Sequence, residues 1–397
     1  MPLRFLTAGE SHGPAELVIV EGLPAGLPLG ADDINPDLAR RQGLNAGGRP
    51  YPGASPRMKL ERDEALLLSG VMAGVTIGAP IAIQVANRDH DKWKGKSVAP
   101  MTVPRPGHAD LTGAVKYAHR DLRMSLERAS ARETTARVAA GATARKLLAA
   151  FGVRVGSYVV QIGSVRADLS TLTLAERLLG AAMSDVQCPD PAASAAMVAH
   201  IQQAMQNRDT LGGVFEVVAL GLPPGLGSHV HWDRRLTGRL AQAMLSIHAM
   251  KGVEIGDAFD NAAKPGTQVQ DAIYRAADQA LTRSTNRAGG LEGGITTGEP
   301  IVLRVAMKPI ATTLTPIASV DLASGEPRPI EYERSDFCPV PRAGVIGEAM
   351  ACLVLADALL EKLGGDSLQE MLPRFESLKR ARLDDFDLDN TPTIFWP

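Results

Sequence analysis

The stretch from Arg105 to Phe151 concentrates the side chains with the clearest chemical use. Arg105 and His108 share a Pro-Gly turn, and Arg128, Arg132 and Arg137 crowd the beginning of an Ala-rich run. Ser130 followed three residues later by Glu133 spells a capping box, which predicts a helix start there and a stop at Gly152. Free backbone N–H groups, the positive end of a helix dipole and guanidinium forks all attract phosphate or carboxylate, so this cluster reads as an anion site. A solvated face in which the arginines pair with Glu127 and Glu133 is the competing reading.

Other candidates are scattered along the chain. His12 lies in the glycine-bounded run GESHG between two strand patterns, where a loop displays its side chains. Arg40 and Arg41 end a short helix and are followed by a Gly- and Pro-rich loop carrying Arg49 and Arg57, either a lid over a charged ligand or a surface linker. Residues 283–298 are glycine-rich and lack any period, which lets backbone N–H groups approach a ligand closely or simply makes a flexible loop.

Strand patterns at 5–7 and 17–21 flank His12, and paired strands are expected at 66–71 and 75–86. Trp93 would anchor the polar loop that follows. A strand at 152–165, helices at 172–184 and 191–207, strands at 252–256 and 301–307, and a helix from about 344 to 363 complete the reading. One element recurs. The strand, GLPAGL turn and helix of residues 17–41 are echoed by the strand at 215–220, GLPPGL and a helix from about 233, which predicts two related halves.

The 397 residues are 45% hydrophobic and 22% charged, ample for a core, but only 4% aromatic. Cores must therefore pack by close backbone approach between small residues. A net charge of -2 argues against a general nucleic-acid binder and leaves room for a local basic pocket, so a small-molecule partner is expected. Cys188, Cys338 and Cys352 lie far apart, without the spacing of a zinc site or a disulfide framework. With no signal-like start and no run of eighteen apolar residues, the expectation is a cytoplasmic protein that does not span a membrane.

Read together, GESHG at 9–13, RPGHAD at 105–110, ERASARE at 127–133, STNRAGGLEGG at 284–294, AMKPIAT at 306–312 and RSDFCPVP at 334–341 resemble chorismate synthases, in the family's order across nearly the whole chain. The resemblance implies an α+β fold, a β-α-β sandwich in which two antiparallel sheets enclose a helical layer, forming one domain with a loosely attached tail from about residue 380. It also implies a homotetramer. The activity implied is the trans-1,4 elimination of phosphate from 5-enolpyruvylshikimate 3-phosphate, dependent on reduced FMN with no net redox change.

By position in the motifs, His12 matches the proton donor to the leaving phosphate and His108 the group that protonates or holds the reduced flavin. Asp336 matches the carboxylate that deprotonates flavin N5. Arg41, Arg105 and Arg132 match substrate-binding arginines, while Arg128, Ala129, Ser130, His248, Ala249, Gly293, Lys308, Pro309, Ile310, Ala311, Thr312 and Arg334 match positions that contact FMN. Where bacterial relatives have a compact Gly-Tyr-Gly-Arg-Gly run, this chain has GLNAGGRPYPGASPRMK. That leaves Arg49 to bind substrate, with Arg57 as the alternative. No GxGxxG unit offers a site for NADPH, so reduced flavin would come from an external reductase. The rivals are a flavin-independent phosphate-releasing lyase or phosphatase, and an anion-binding protein without turnover.

Overall fold

The computed structural model describes residues 2–396 apart from 45–47, 49, 54–61, 333–335 and 390. Strands β1 (Arg4–Ala8) and β2 (Ala15–Glu21) lead to helix α1 (Ala31–Arg41), β3 (Ala65–Leu67), a ribbon of β4 (Val71–Met72) and β5 (Val75–Thr76), and β6 (Ile81–Ala86). Helices α2 (Asp110–Tyr117), α3 (Arg123–Ala129) and α4 (Thr134–Ala150) close this half. The second half runs through β7 (Arg154–Ile162), β8 (Val165–Arg166), α5 (Leu174–Met183), α6 (Pro191–Gln206), β9 (Gly213–Leu220), α7 (Leu236–Leu245), β10 (Met250–Ile255) and α8 (Ala258–Ala262). It continues with β11 (Ile273–Arg275), β12 (Leu281–Arg283), β13 (Leu291–Glu292), β14 (Ile295–Thr296), β15 (Ile301–Met307), α9 (Val340–Leu363) and α10 (Leu368–Glu376).

Two antiparallel sheets result, ordered β1-β2-β6-β3 and β10-β15-β9-β7-β8. Helices α1, α4, α7 and α9 pack between them. Read backwards, the second sheet is β7-β9-β15-β10 beside β8, so each of its four main strands takes the place of a strand in the first. The echoed turns prove equivalent bond by bond. In the first half Thr76 Oγ1 donates to Pro24 O and accepts from Leu27 N; in the second Thr296 Oγ1 donates to Pro223 O and accepts from Leu226 N. The two-halves expectation is met by hydrogen bonds as well as by sequence.

Alternation sets the inner face of β2, where Val18 and Val20 are buried while Leu17 and Ile19 are exposed. Val18 and Val20 meet Ile81, Ile83 and Val85 of β6 in one core, each such burial contributing about 1.5–3 kcal/mol. The small residues of the central helices have a steric reason. A Cβ on Gly141 of α4 would lie 2.3 Å from that of Ala349 on α9, so the helices cross at a distance only glycine permits. Helix α9 is long and apolar enough to cross a membrane by composition, but 89% of that window is buried in the fold. Its Glu348, fully enclosed, takes Arg40 and Arg145 at 2.6 Å each and Ser157 at 2.6 Å, pinning α1, α4 and β7 to it.

Some boundaries differ from expectation. The expected strands at 66–71 and 75–86 break at Gly70 and before Ile81, because a Cβ on Gly70 would sit 2.8 Å from Ile81 Cα. The segments between them fold back as the β4–β5 ribbon. The expected strand at 152–165 is a hairpin of β7 and β8. The tail is tied as far as Phe386, through Leu281 N to Ala381 O and Leu383 N to Gln279 O; beyond it Leu388, Ile394, Phe395 and Trp396 are exposed.

Candidate active site

Three loops from different parts of the chain bring the expected histidines and arginines to one cleft. The first is the hairpin loop between β1 and β2. Asn87 Nδ2 donates to the carbonyls of Ser11 and Gly13 and so fixes its shape. Gly9 has φ +129°, and a Cβ there would lie 2.7 Å from Ala15 O, so glycine is required. His12 is held on one side by Glu127 and on the other by Trp93, whose ring centroid lies 4.2 Å away.

The second loop is the turn before α2. Asp110, with no exposed surface, accepts at Oδ2 from Arg105 Nε at 2.8 Å and Arg105 N at 3.1 Å, and its Oδ1 accepts from Arg105 Nη2 at 3.0 Å and lies 2.5 Å from His108 Nδ1. Burial pushes this carboxyl up, but hydrogen bonds from His108 and Arg105 outweigh it and hold Asp110 well below the ordinary carboxylate range. Arg105 Nη1 also reaches Thr312 Oγ1 at 3.4 Å.

The third is the entry to α4. Ser130 caps a 3₁₀ turn through Arg132 N, and α4 follows from Thr134. Glu133 does not close the expected capping box: its carboxylate accepts from Thr7 and Arg137 instead. The three arginines therefore divide. Arg132 lines the cleft and pairs with Asp63 at 2.7 Å, Arg137 binds Glu133 and Ser246, and Arg128 donates to Gly9 O and Thr7 O. For Arg137 the competing reading, a pair with Glu133, holds.

Arg41 donates to Thr134 Oγ1 at 2.9 Å, Ala131 O at 2.9 Å and Asp63 at 3.2 Å. Burial lowers its pKa to about 9 against the pull of Asp63, with Arg342 and Arg132 adding to the lowering. Asp63 is thus shared by Arg41 and Arg132, and a cluster of guanidinium groups of this kind attracts an anionic ligand. Asp336 forms an ion pair with Arg342, whose Nε donates to Arg41 O at 2.6 Å.

His12, Arg41, Arg105, His108, Arg132, Asp336 and Arg342 line a cavity of about 680 Å³ together with Ala129, Ser130, His248, Ala249, Lys308, Ile310, Ala311 and Thr312. Pro309 is absent from the lining, and Gly293 lies in the turn between β13 and β14, away from the cleft. Arg49, Arg57 and Arg334 fall outside the described residues. Sequence reasoning missed Asp63, Lys92, Lys96 and Arg342; the Lys-Trp-Lys-Gly-Lys run was the only local signal among them.

A planar, partly polar cofactor suits one wall. Ala129, Ala249 and Ala311 offer small side chains, a Cβ on Gly107 (φ +78°) would approach Lys308 Nζ to 3.2 Å, and His248 has a buried Nδ1 without a hydrogen-bond partner. Burial lowers the pKa of both His248 and Lys308.

The family model for chorismate synthase matches residues 3–360. The chain is 52% identical over 380 residues to the chorismate synthase of Desulforudis audaxviator, covering 93% of this chain and 95% of that one. The chain belongs to the chorismate synthase family. The corresponding protein of Aquifex aeolicus is 51% identical over 392 residues, covering 94% and 96%. A crystal structure of chorismate synthase superposes with a TM-score of 0.76 at 45% identity, covering 95% of this chain and 97% of that chain. The two-sheet sandwich is thus the chorismate synthase fold, and the family activity is the carbon–oxygen lyase step that ends the shikimate pathway.

Proposed function

We propose that the cleft binds 5-enolpyruvylshikimate 3-phosphate over reduced FMN and expels phosphate to form chorismate. The supporting observation is the convergence of Arg41, Arg105 and Arg132 with His12, His108 and Asp336 on one cavity beside a small-residue wall. A substrate with one phosphate and two carboxylates needs such a cationic surround. When bound, reduced FMN supplies electron density to an allylic phosphate that acid and base alone expel poorly.

The chain's residues orient and protonate. Arg41, Arg105 and Arg132 grip the anions, His12 hands a proton to the leaving phosphate, His108 holds a proton at the flavin side, and Asp336 accepts one. Ala129, Ser130, His248, Ala249 and Lys308 to Thr312 would hold the cofactor. Arg49 and Arg334 keep their assigned roles on motif position alone, as do Arg128, Pro309 and Gly293, which a single chain does not place in the cleft lining.

The outer face of the first sheet supports the homotetramer. Leu6 and Ile19 are cross-strand partners there, Leu17 and Leu66 both lie beside Gln84, and all four leucine and isoleucine side chains are at least 40% exposed. An apolar sheet face of this kind fits a second copy of the chain. A cytoplasmic location and an external flavin reductase complete the proposal.

Shared occupancy has a direct test, since substrate lying over the flavin would trap it and exclude water. Oxidised FMN titrated in the presence of substrate binds more tightly than alone and shows an altered visible spectrum. Equal affinity with and without substrate would contradict a common site.

A further inference from the structure

Glu127 has no role in the chemistry above, yet it holds the proton donor at two points. Its Oε1 lies 2.7 Å from His12 Nδ1, and its Oε2 accepts from His12 N at 2.8 Å. The Glu127 carbonyl accepts from Ser11 N at 3.1 Å, so the end of α3 grips the whole tip of the loop. Across the imidazole, Trp93 closes the other side, and Arg123 stands 5.6 Å over the indole. With both flanks filled the ring has little freedom to turn.

A carboxylate at Nδ1 requires a proton on that nitrogen, so Nε2 is the one left to serve the cleft. We propose that Glu127 is the positioning residue for His12: it fixes the Nδ1–H tautomer, aims Nε2 into the cavity and stabilises the imidazolium that donates a proton to the leaving phosphate. This rests on the proton-donor role given to His12 above. In the step, the substrate C–O bond breaks with its electron pair on the phosphate oxygen, which takes the proton from Nε2. The electrons of the ring C–H bond broken in the 1,4-elimination become the new double bond, and its proton leaves on the side of the cleft where Asp336 stands. The neutral imidazole keeps its Nδ1–H on Glu127 and regains the other proton from water.

The carboxylate is charged when it is needed. Burial pushes Glu127 up, but the side-chain and backbone hydrogen bonds from His12 outweigh it and leave the group below its ordinary value. The other charged or titratable groups on the elements around this ring are Arg123 and Arg128 on α3, Arg88, Asp89, His90, Asp91 and Lys92 on the 3₁₀ turn before Trp93, and Glu10 on the loop itself. Among the described residues, Glu127 alone is a carboxylate bonded to the His12 ring.

The test compares kcat and KM against pH for wild type, Glu127→Gln, Glu127→Asp, His12→Ala and the His12→Ala/Glu127→Gln double variant, with thermal midpoints as a fold control. Glu127→Gln keeps the shape but removes the charge, so kcat falls roughly 10- to 100-fold at neutral pH with KM little changed. The alkaline limb of its kcat profile moves to lower pH, because the imidazolium has lost its counter-charge. Glu127→Asp returns that limb towards wild type. The double variant is no slower than His12→Ala alone, as expected for two groups acting as one.

A uniform loss of kcat with an unmoved limb, or a fall in thermal midpoint alone, would make Glu127 a structural brace and overturn the proposal. Additive losses in the double variant would do the same. Turnover that survives His12→Ala would remove the proton-donor role itself, a distinct failure read from the single variant.

Discussion

Asp336→Asn lowers turnover by roughly 10²- to 10⁴-fold, the range associated with a positioned general acid or base, while oxidised FMN still binds. The amide keeps the outline of the carboxylate but accepts no proton at neutral pH. In this fold Asp336 faces Arg342, which also donates to the carbonyl of Arg41, so the carboxylate is fixed beside the anion-binding arginines. Removing its charge alters that ion pair too, and a thermal midpoint separates lost chemistry from lost structure. A variant that turns over like wild type would take Asp336 out of the proton path.

Asp110→Asn has its main effect on the fold of the site. This side chain has no exposed surface and is the carboxylate joining Arg105 to His108. Removing one partner of such a buried cluster leaves a guanidinium without its counter-ion, at a cost of about 3–5 kcal/mol. The pH dependence has a defined sense. Because the folded-state pKa of Asp110 is depressed, its stabilisation is fully present above its unfolded value of about 3.9 and is lost as pH falls through the lower folded value. Urea midpoints therefore differ between wild type and Asp110→Asn at neutral pH and converge in strong acid. Equal midpoints at neutral pH would mean that Arg105 is satisfied elsewhere.

Periodicity made much of the fold legible. Alternation marked the strand that became β7, small-residue runs marked α4 and α9, and the GLPAGL and GLPPGL turns carried the internal symmetry. Boundaries failed where two-residue ribbons imitate longer strands: the β4–β5 pair carries the same alternation as a continuous strand, and only the close approach of Gly70 to Ile81 reveals the break. The motifs located His12, His108, Arg41, Arg105 and Asp336 at the cleft. Motif position also gave Arg132 to the substrate, whereas residue spacing alone did not separate it from Arg128 and Arg137, which lie on α3 and α4 either side of the 3₁₀ turn that carries Arg132. Asp63 and Arg342 were invisible for another reason. Their partners, Arg41, Arg132 and Asp336, are joined to them through tertiary contacts that no local pattern encodes.

On the proposed function, one cleft uses reduced FMN to release phosphate without consuming the flavin. Purified protein free of reductase is mixed anaerobically with 5-enolpyruvylshikimate 3-phosphate, and phosphate is measured with and without chemically reduced FMN. Many turnovers per flavin are expected when reduced FMN is present and none with oxidised FMN or with NADPH plus oxidised FMN. Phosphate release at the same rate without reduced flavin would contradict it.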